Sequence, residues 1–166
     1  MANPGPSTTV TTNSQAVTAP IVTPLVNTNA GPVQGTNALR LIAAARGVSL
    51  AALGDAAVIP VINTSLYNPF AVIITNAQLA GVGGSVATAA LSINTGPAVT
   101  GVSVVANAAL TTLTSQYFVL KSTVVAATLT TAIPVTLGTN QNIYINVGTA
   151  LATATVDIFV WGYDLT

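Results

Sequence analysis

Asp55, Asp157 and Asp164 are the only carboxylate side chains in this sequence, and neither histidine nor cysteine stands beside them. A glycosidase would need two of the three to converge as an acid and its partner. Asp157 falls mid-strand, Asp164 near the C-terminus and Asp55 in a Gly-Asp turn, so no such convergence is expected. Without histidine there is no Ser–His–Asp triad and no imidazole base or metal ligand; without cysteine there is no thiolate chemistry and no disulfide. The sequence therefore predicts no catalytic residue, no metal, no cofactor and no small-molecule substrate, which is the profile of a protein that is not an enzyme. Gly81-Val82-Gly83-Gly84 has the glycines of a phosphate cradle. It lacks the Lys-Ser/Thr pair and the following helix that make such a loop an anion site, so it reads as a hairpin turn. Asn63-Thr64-Ser65 matches a glycosylation sequon, a match common by chance. Arg40, Arg46 and Lys121 are the only basic side chains and do not cluster, which leaves no groove for nucleic acid.

The elements that would position these residues belong to an unusual chain. Its 166 residues suffice for one domain with a proper core. Apolar residues make up 51% but charged ones only 4%, against roughly 25% in an ordinary soluble domain. The surface must then consist mainly of Thr, Asn, Ser and Gln. With a net charge of zero it has little repulsion to keep copies apart, so much of it is expected to be hidden in an assembly. No membrane partner is expected. The most apolar region, residues 38–62, is interrupted by Arg40, Arg46 and Asp55, and 5% aromatics cannot supply the girdles of an outer-membrane barrel. The start, MANPGPSTTV, has neither a basic nor an apolar leader region, so no signal peptide is expected.

The most informative stretch is residues 152–163, ATATVDIFVWGY. At a period of two, Ala154, Val156, Ile158, Val160 and Gly162 share one face, while Thr153, Thr155, Asp157, Phe159, Trp161 and Tyr163 share the other. This is a long central strand. Its aromatic end, Phe159, Trp161 and Tyr163, is either core under a second sheet or a subunit interface, where Trp and Tyr are enriched. Upstream, residues 37–47 (NALRLIAAARG) combine a candidate N-cap (Asn37), strong helix formers and a terminal glycine, and predict the one short helix. Strands are expected over residues 56–62, 70–79, 86–94, 102–105, 117–121, 124–128, 133–137 and 142–147, with NTSLYNP as a loop. Eight or nine short strands separated by turn signals indicate an all-β antiparallel sandwich, and eight is the count of a jelly roll.

Residues 1–36 form a separate piece, uncharged and carrying prolines at 4, 6, 20, 24 and 32. Those prolines exclude a helix or a central strand and leave an extended arm, which at full stretch could reach on the order of 120 Å. It is either an unpartnered tail or an arm that orders against a neighbouring subunit. Ile21, Val22, Leu25 and Val26 favour the second, being too apolar for a solvating tail. The domain proper is then residues 37–166.

From Tyr67 onward the sequence resembles small head-decoration (cement) proteins of tailed bacteriophages. The likeness is carried in order by FAVIITNAQL, ATAALSINTGPAVTG, VVANAALTTLTSQYFVL and the closing NIYINVGTALATATVDIFVWGYDL. The resemblance implies a virion protein, a homotrimer on the outer surface of an icosahedral head. It would bind the major capsid protein, stabilise the shell and be made in the host cytoplasm. Two other roles stay open: a head-fibre or tail-associated domain that binds host glycans through Thr, Asn and Tyr on loops, and a trimeric jelly-roll domain of a bacterial surface or spore coat.

Overall fold

The computed structural model describes residues 38–62 and 64–165. The proposed arm with Ile21, Val22, Leu25 and Val26, and the sequon's Asn63, lie outside the described residues. The described residues form an all-β, mostly antiparallel structure. In chain order the strands are β1 (Ala38–Ser49), β2 (Gly54–Pro60), β3 (Leu66–Leu79), β4 (Val82–Gly83), β5 (Ala90–Gly96), β6 (Thr100–Ala109) and β7 (Leu120–Ser122). A four-residue helix, α1 (Ala126–Leu129), precedes β8 (Ile133–Pro134), β9 (Asn142–Thr149) and β10 (Ala154–Asp164).

Two sheets result. The four-stranded one runs β2-β9-β5-β6; the six-stranded one runs β1-β10-β3, with β4, β7 and β8 sharing the far edge of β3. The pairing is nested in sequence: β1 lies beside β10, β2 pairs with β9, β3 with β7, and β5 with β6. One buried cluster draws on both sheets. Ile42, Val72, Ile74, Ile158 and Val160 come from the larger sheet, and Ile59, Leu91, Ile93, Ile143 and Ile145 from the smaller. The alternation expected of β10 holds, since Ala154, Val156, Ile158 and Val160 are all buried in this core. Gly162 continues that face, where a Cβ would come within 2.7 Å of the Asn68 carbonyl oxygen and 3.0 Å of Ile42, so β3 and β10 approach too closely there for any side chain.

Four expectations need correction. The helix expected over residues 37–47 is not formed: Asn37 lies outside the described residues, and β1 covers residues 38–47 as a strand. Helix propensities differ by well under about 1 kcal/mol per ordinary residue. Placing Ile42 and Val48 in the core beside β10 outweighs them. The Arg40–Asp164 ion pair at 2.8 Å adds to that placement. NTSLYNP is not all loop, because β3 already begins at Leu66 and keeps Tyr67 and Pro69 buried. Residues 124–128 are not a strand; they turn into α1, whose Thr128 hydroxyl donates to the Ser103 carbonyl at 2.7 Å. Residues 86–89 precede β5 rather than belonging to it, and Ser92 and Asn94 of β5, alternating with the core residues Leu91 and Ile93, are buried as well.

Candidate functional site

β10 sits between β1 and β3, so its outer face is flanked on both sides. That face is where the strand's non-aliphatic residues gather. Asp157 is buried there and acts as a tie. Its Oδ1 accepts the Gly47 N–H of β1 at 2.8 Å, and its Oδ2 accepts Asn76 Nδ2 of β3 at 3.2 Å. Both partners have positive φ, 62° at Gly47 and 55° at Asn76. Asn76 is also the place where the β3–β10 register slips, since Thr155 faces Gln78 while Asp157 faces Thr75. One carboxylate thus holds two irregular backbone positions on either side of it.

Beyond Asp157 the face turns aromatic. Phe159, Trp161 and Tyr163 point away from the chain's own core, with Trp161 38% and Tyr163 37% exposed. A second register slip lies here: Trp161 faces Ala71 but Gly162 faces Pro69, leaving Phe70 as the extra residue of a bulge. Phe70 is 41% exposed, and its ring meets Tyr163 edge-on with centroids 5.6 Å apart. Two cations border the patch. Arg46 lies 6.0 Å from the Phe159 centroid and Lys121 Nζ 5.4 Å from that of Phe70, within the range of cation–π attraction. Tyr117, Phe118 and Val119, all exposed, lead into β7 on the far side of β3.

The patch does not end at Phe70. A groove of about 400 Å³ beside it is lined by Lys121, Val124 and Leu129, and a second of about 510 Å³ shares those three and reaches Ala106, Ala108 and Ala109 of β6. An apolar relief therefore runs from the aromatic rings to the edge of the smaller sheet.

The three aspartates that could have done chemistry are each engaged separately. Asp157 bridges Gly47 and Asn76. Asp164 pairs with Arg40 and accepts a contact from the Thr64 hydroxyl at 2.8 Å. Asp55 receives Asn146 Nδ2 and the Ala98 N–H, both at 2.9 Å. Asp157 and Asp164 lie seven residues apart along one strand, about 23 Å at strand rise, far beyond the roughly 5–10 Å of a glycosidase pair. The Gly81 region is a hairpin turn: Leu79 and Val82 pair across Ala80-Gly81, and β4 returns along β3. Among the described residues, no helix is long and apolar enough to cross a membrane, and no three potential metal ligands gather.

Phe159, Trp161 and Tyr163 were named from sequence; Phe70 and Tyr117–Val119 were not. The run SQYFVL was a visible signal for the latter, but it read only as a strand over residues 117–121. Phe70 carried no signal, because its outward direction comes from a bulge that only the pairing with β10 creates. The chain matches no family model, no curated protein and no solved structure.

Proposed function

We propose that this chain is a non-catalytic structural subunit that docks onto a larger protein assembly through the outer face of β1-β10-β3. The observation that carries this reading is the exposed set Phe70, Trp161 and Tyr163, with half-buried Phe159 beside them, in a chain with six charged side chains. Trp and Tyr dominate binding energy when an interface buries them, and contiguous exposed apolar relief marks interaction surfaces. Apart from the bordering Arg46 and Lys121, which already lie against its rings, the surface of this sparsely charged chain can be covered without stripping water from ions.

We read the finer architecture as a jelly roll. Nested pairing supports it: among the eight longer strands, the first lies beside the last, the second beside the seventh, the third beside the sixth and the fourth beside the fifth. We further propose that the assembly is the head of a tailed bacteriophage and that the subunit is a trimeric decoration (cement) protein bound to the major capsid protein. The likeness that suggests this is carried by the segments forming β3, β5, β6 and β9–β10, of which β3 and β10 present the aromatic face. The mechanism is mechanical: each copy bound to the expanded shell and not to its broken pieces stabilises it by mass action, about 2.7 kcal/mol per site at a hundredfold excess over Kd.

The test strips the protein from particles and measures survival of heat and osmotic shock. Survival should fall on stripping, return when wild-type protein is added back, and not return with Trp161→Ala/Tyr163→Ala. Stripped particles that survive as well as decorated ones would end the cement reading. Sizing of the purified protein should give a trimer.

A further inference from the structure

A second region, independent of the aromatic face, lies at one end of the four-stranded sheet. The turn joining β5 to β6, residues 138–141 ahead of β9 and the first residues of β9 together line a cleft of about 320 Å³, within the roughly 300–1,000 Å³ of small-molecule sites. Its lining contains no charged side chain. Thr100, Thr139, Asn140, Gln141, Asn142 and Tyr144 supply the polar groups. Two of the amides are fixed by one end only. Gln141 Oε1 accepts the Gly138 N–H at 2.8 Å, and Asn140 Nδ2 donates to the Pro134 carbonyl at 2.9 Å. That leaves Gln141 Nε2 to donate and Asn140 Oδ1 to accept.

The opposite wall is held in an unfavourable backbone. The Thr100 N–H donates to the Pro97 carbonyl at 3.0 Å, closing a turn whose central residues Ala98 and Val99 have φ of 51° and 65°. Left-handed backbone is disfavoured for L-residues and most of all for a β-branched one. Asp55 Oδ2 secures it by accepting the Ala98 N–H, and Thr95 Oγ1 accepts the Val102 N–H at 2.9 Å just past the turn. Asp55 stands outside the cleft's lining, so the interior stays neutral while its walls are braced.

We propose that this cleft binds a neutral oligosaccharide. Hydroxyls and carboxamides both donate and accept, as sugar hydroxyls do. An ionic ligand would meet no counter-charge in the lining. Tyr144, half-buried on the outer face of β9, offers an amphipathic ring on which the C–H face of a pyranose can rest.

Protein-observed amide NMR and calorimetry on the full chain test this with maltose, lactose and N,N′-diacetylchitobiose, and with 3′-sialyllactose as the charged control. At least one neutral disaccharide should bind and shift the amides of residues 138–144. Gln141→Ala should weaken it about tenfold, the loss of one neutral hydrogen bond, and Tyr144→Ala by at least as much. Gln141 is exposed, so its variant keeps the test open if Tyr144→Ala fails to fold, which melting curves would report. Offering the bound sugar both free and coupled to albumin separates two sources of the same chemistry. Equal affinity per sugar marks a free saccharide, and a multivalent gain marks a surface glycan. The proposal is overturned if none of the three neutral disaccharides moves those amides, if both variants bind unchanged, or if 3′-sialyllactose binds more tightly than every neutral probe.

Discussion

The outer faces of the two sheets are finished in opposite ways. On the four-stranded sheet the outward side chains of β5 and β9 are polar and close on one another. Asn94 Nδ2 donates to Ser92 Oγ at 3.2 Å, and Asn146 Nδ2 donates to Asp55. On the six-stranded sheet the outward side chains of β10 and its bulged neighbour are aromatic, and their contacts with each other leave over a third of Trp161, Tyr163 and Phe70 exposed. Polar groups can be satisfied within one chain by a few well-placed bonds. Aromatic area has no such internal remedy and needs a covering surface. The first face is complete in a single copy; the second is complete only when something lies on it.

The largest effect that could break this contrast comes from β10 itself, which has one face in the core and one outside. Ile158→Ala, at a fully buried position, should cost about 2–5 kcal/mol in urea unfolding. Trp161→Ala, three residues on, should cost the isolated chain less than that, about 1–2 kcal/mol, because over a third of the residue is already wet. Losses of equal size would mean that the aromatic face belongs to the core. Bound to a shell, the order reverses, and Trp161→Ala should weaken attachment by about 2 kcal/mol or more, roughly thirtyfold.

Asp157 comes next, because it holds the backbone beneath the aromatic face. Asp157→Ala strands the Gly47 N–H and the Asn76 amide, and hydrogen bonds to a charged acceptor contribute about 1.5–3 kcal/mol. A loss of about 2–3 kcal/mol is expected, with faster hydrogen exchange at Gly47 and Thr75 and none at Ile145 in the other sheet. Exchange that accelerates equally in both sheets would show that the tie is not local.

How much of this could be read in advance follows from the same contrast. The core faces of β9 and β10 were legible because Ile143, Ile145 and Val147, and Ala154 to Gly162, alternate at a period of two and need no knowledge of their neighbours. β1 was not, because its Leu, Ala and Arg residues carry helix propensity and become a strand only through the place beside β10 and the Asp164 partner of Arg40. The bulges at Phe70 and Asn76 were hidden for a related reason: each is a mismatch between two strands and belongs to neither sequence alone. The aromatic triad could therefore be named but not its fourth member. The polar cleft was hidden altogether, since its walls come from turns in separate parts of the chain.

Between the two faces lies one buried phenol among the described residues. Tyr67 is fully buried, and no described group pairs with its hydroxyl. Burial pushes the phenol's pKa well above its ordinary value. Its folded pKa being raised, its contribution is complete below the unfolded value of about 10 and is lost as pH rises above it, because the unfolded chain releases the proton first. Stability should fall by up to about 1.4 kcal/mol per pH unit above pH 10 from this group. Tyr67→Phe should remove that component of the alkaline decline, and below pH 9 it should leave stability unchanged or raise it by about 1 kcal/mol, the relief of an unpaired hydroxyl. A Phe variant markedly less stable at neutral pH would show that the hydroxyl has a partner.

The smallest effect tests the polar end. Val99 occupies left-handed backbone at φ 65° with its side chain 55% exposed. That conformation costs an L-residue about 1–2 kcal/mol, and a glycine is free of it. Against this gain, glycine adds about 0.5–1 kcal/mol of conformational freedom to the unfolded chain, and a half-exposed valine forfeits little burial. Val99→Gly should therefore be stabilising by about 0.5–1 kcal/mol. The sign matters more than the size. A valine held where glycine is more stable marks strain stored in the turn, and the same variant should raise the melting temperature while speeding amide exchange at Ala98 and Thr100 of the cleft wall. Should Val99→Gly instead destabilise the chain, the turn is not strained, and the argument that the cleft wall is held under load fails with it.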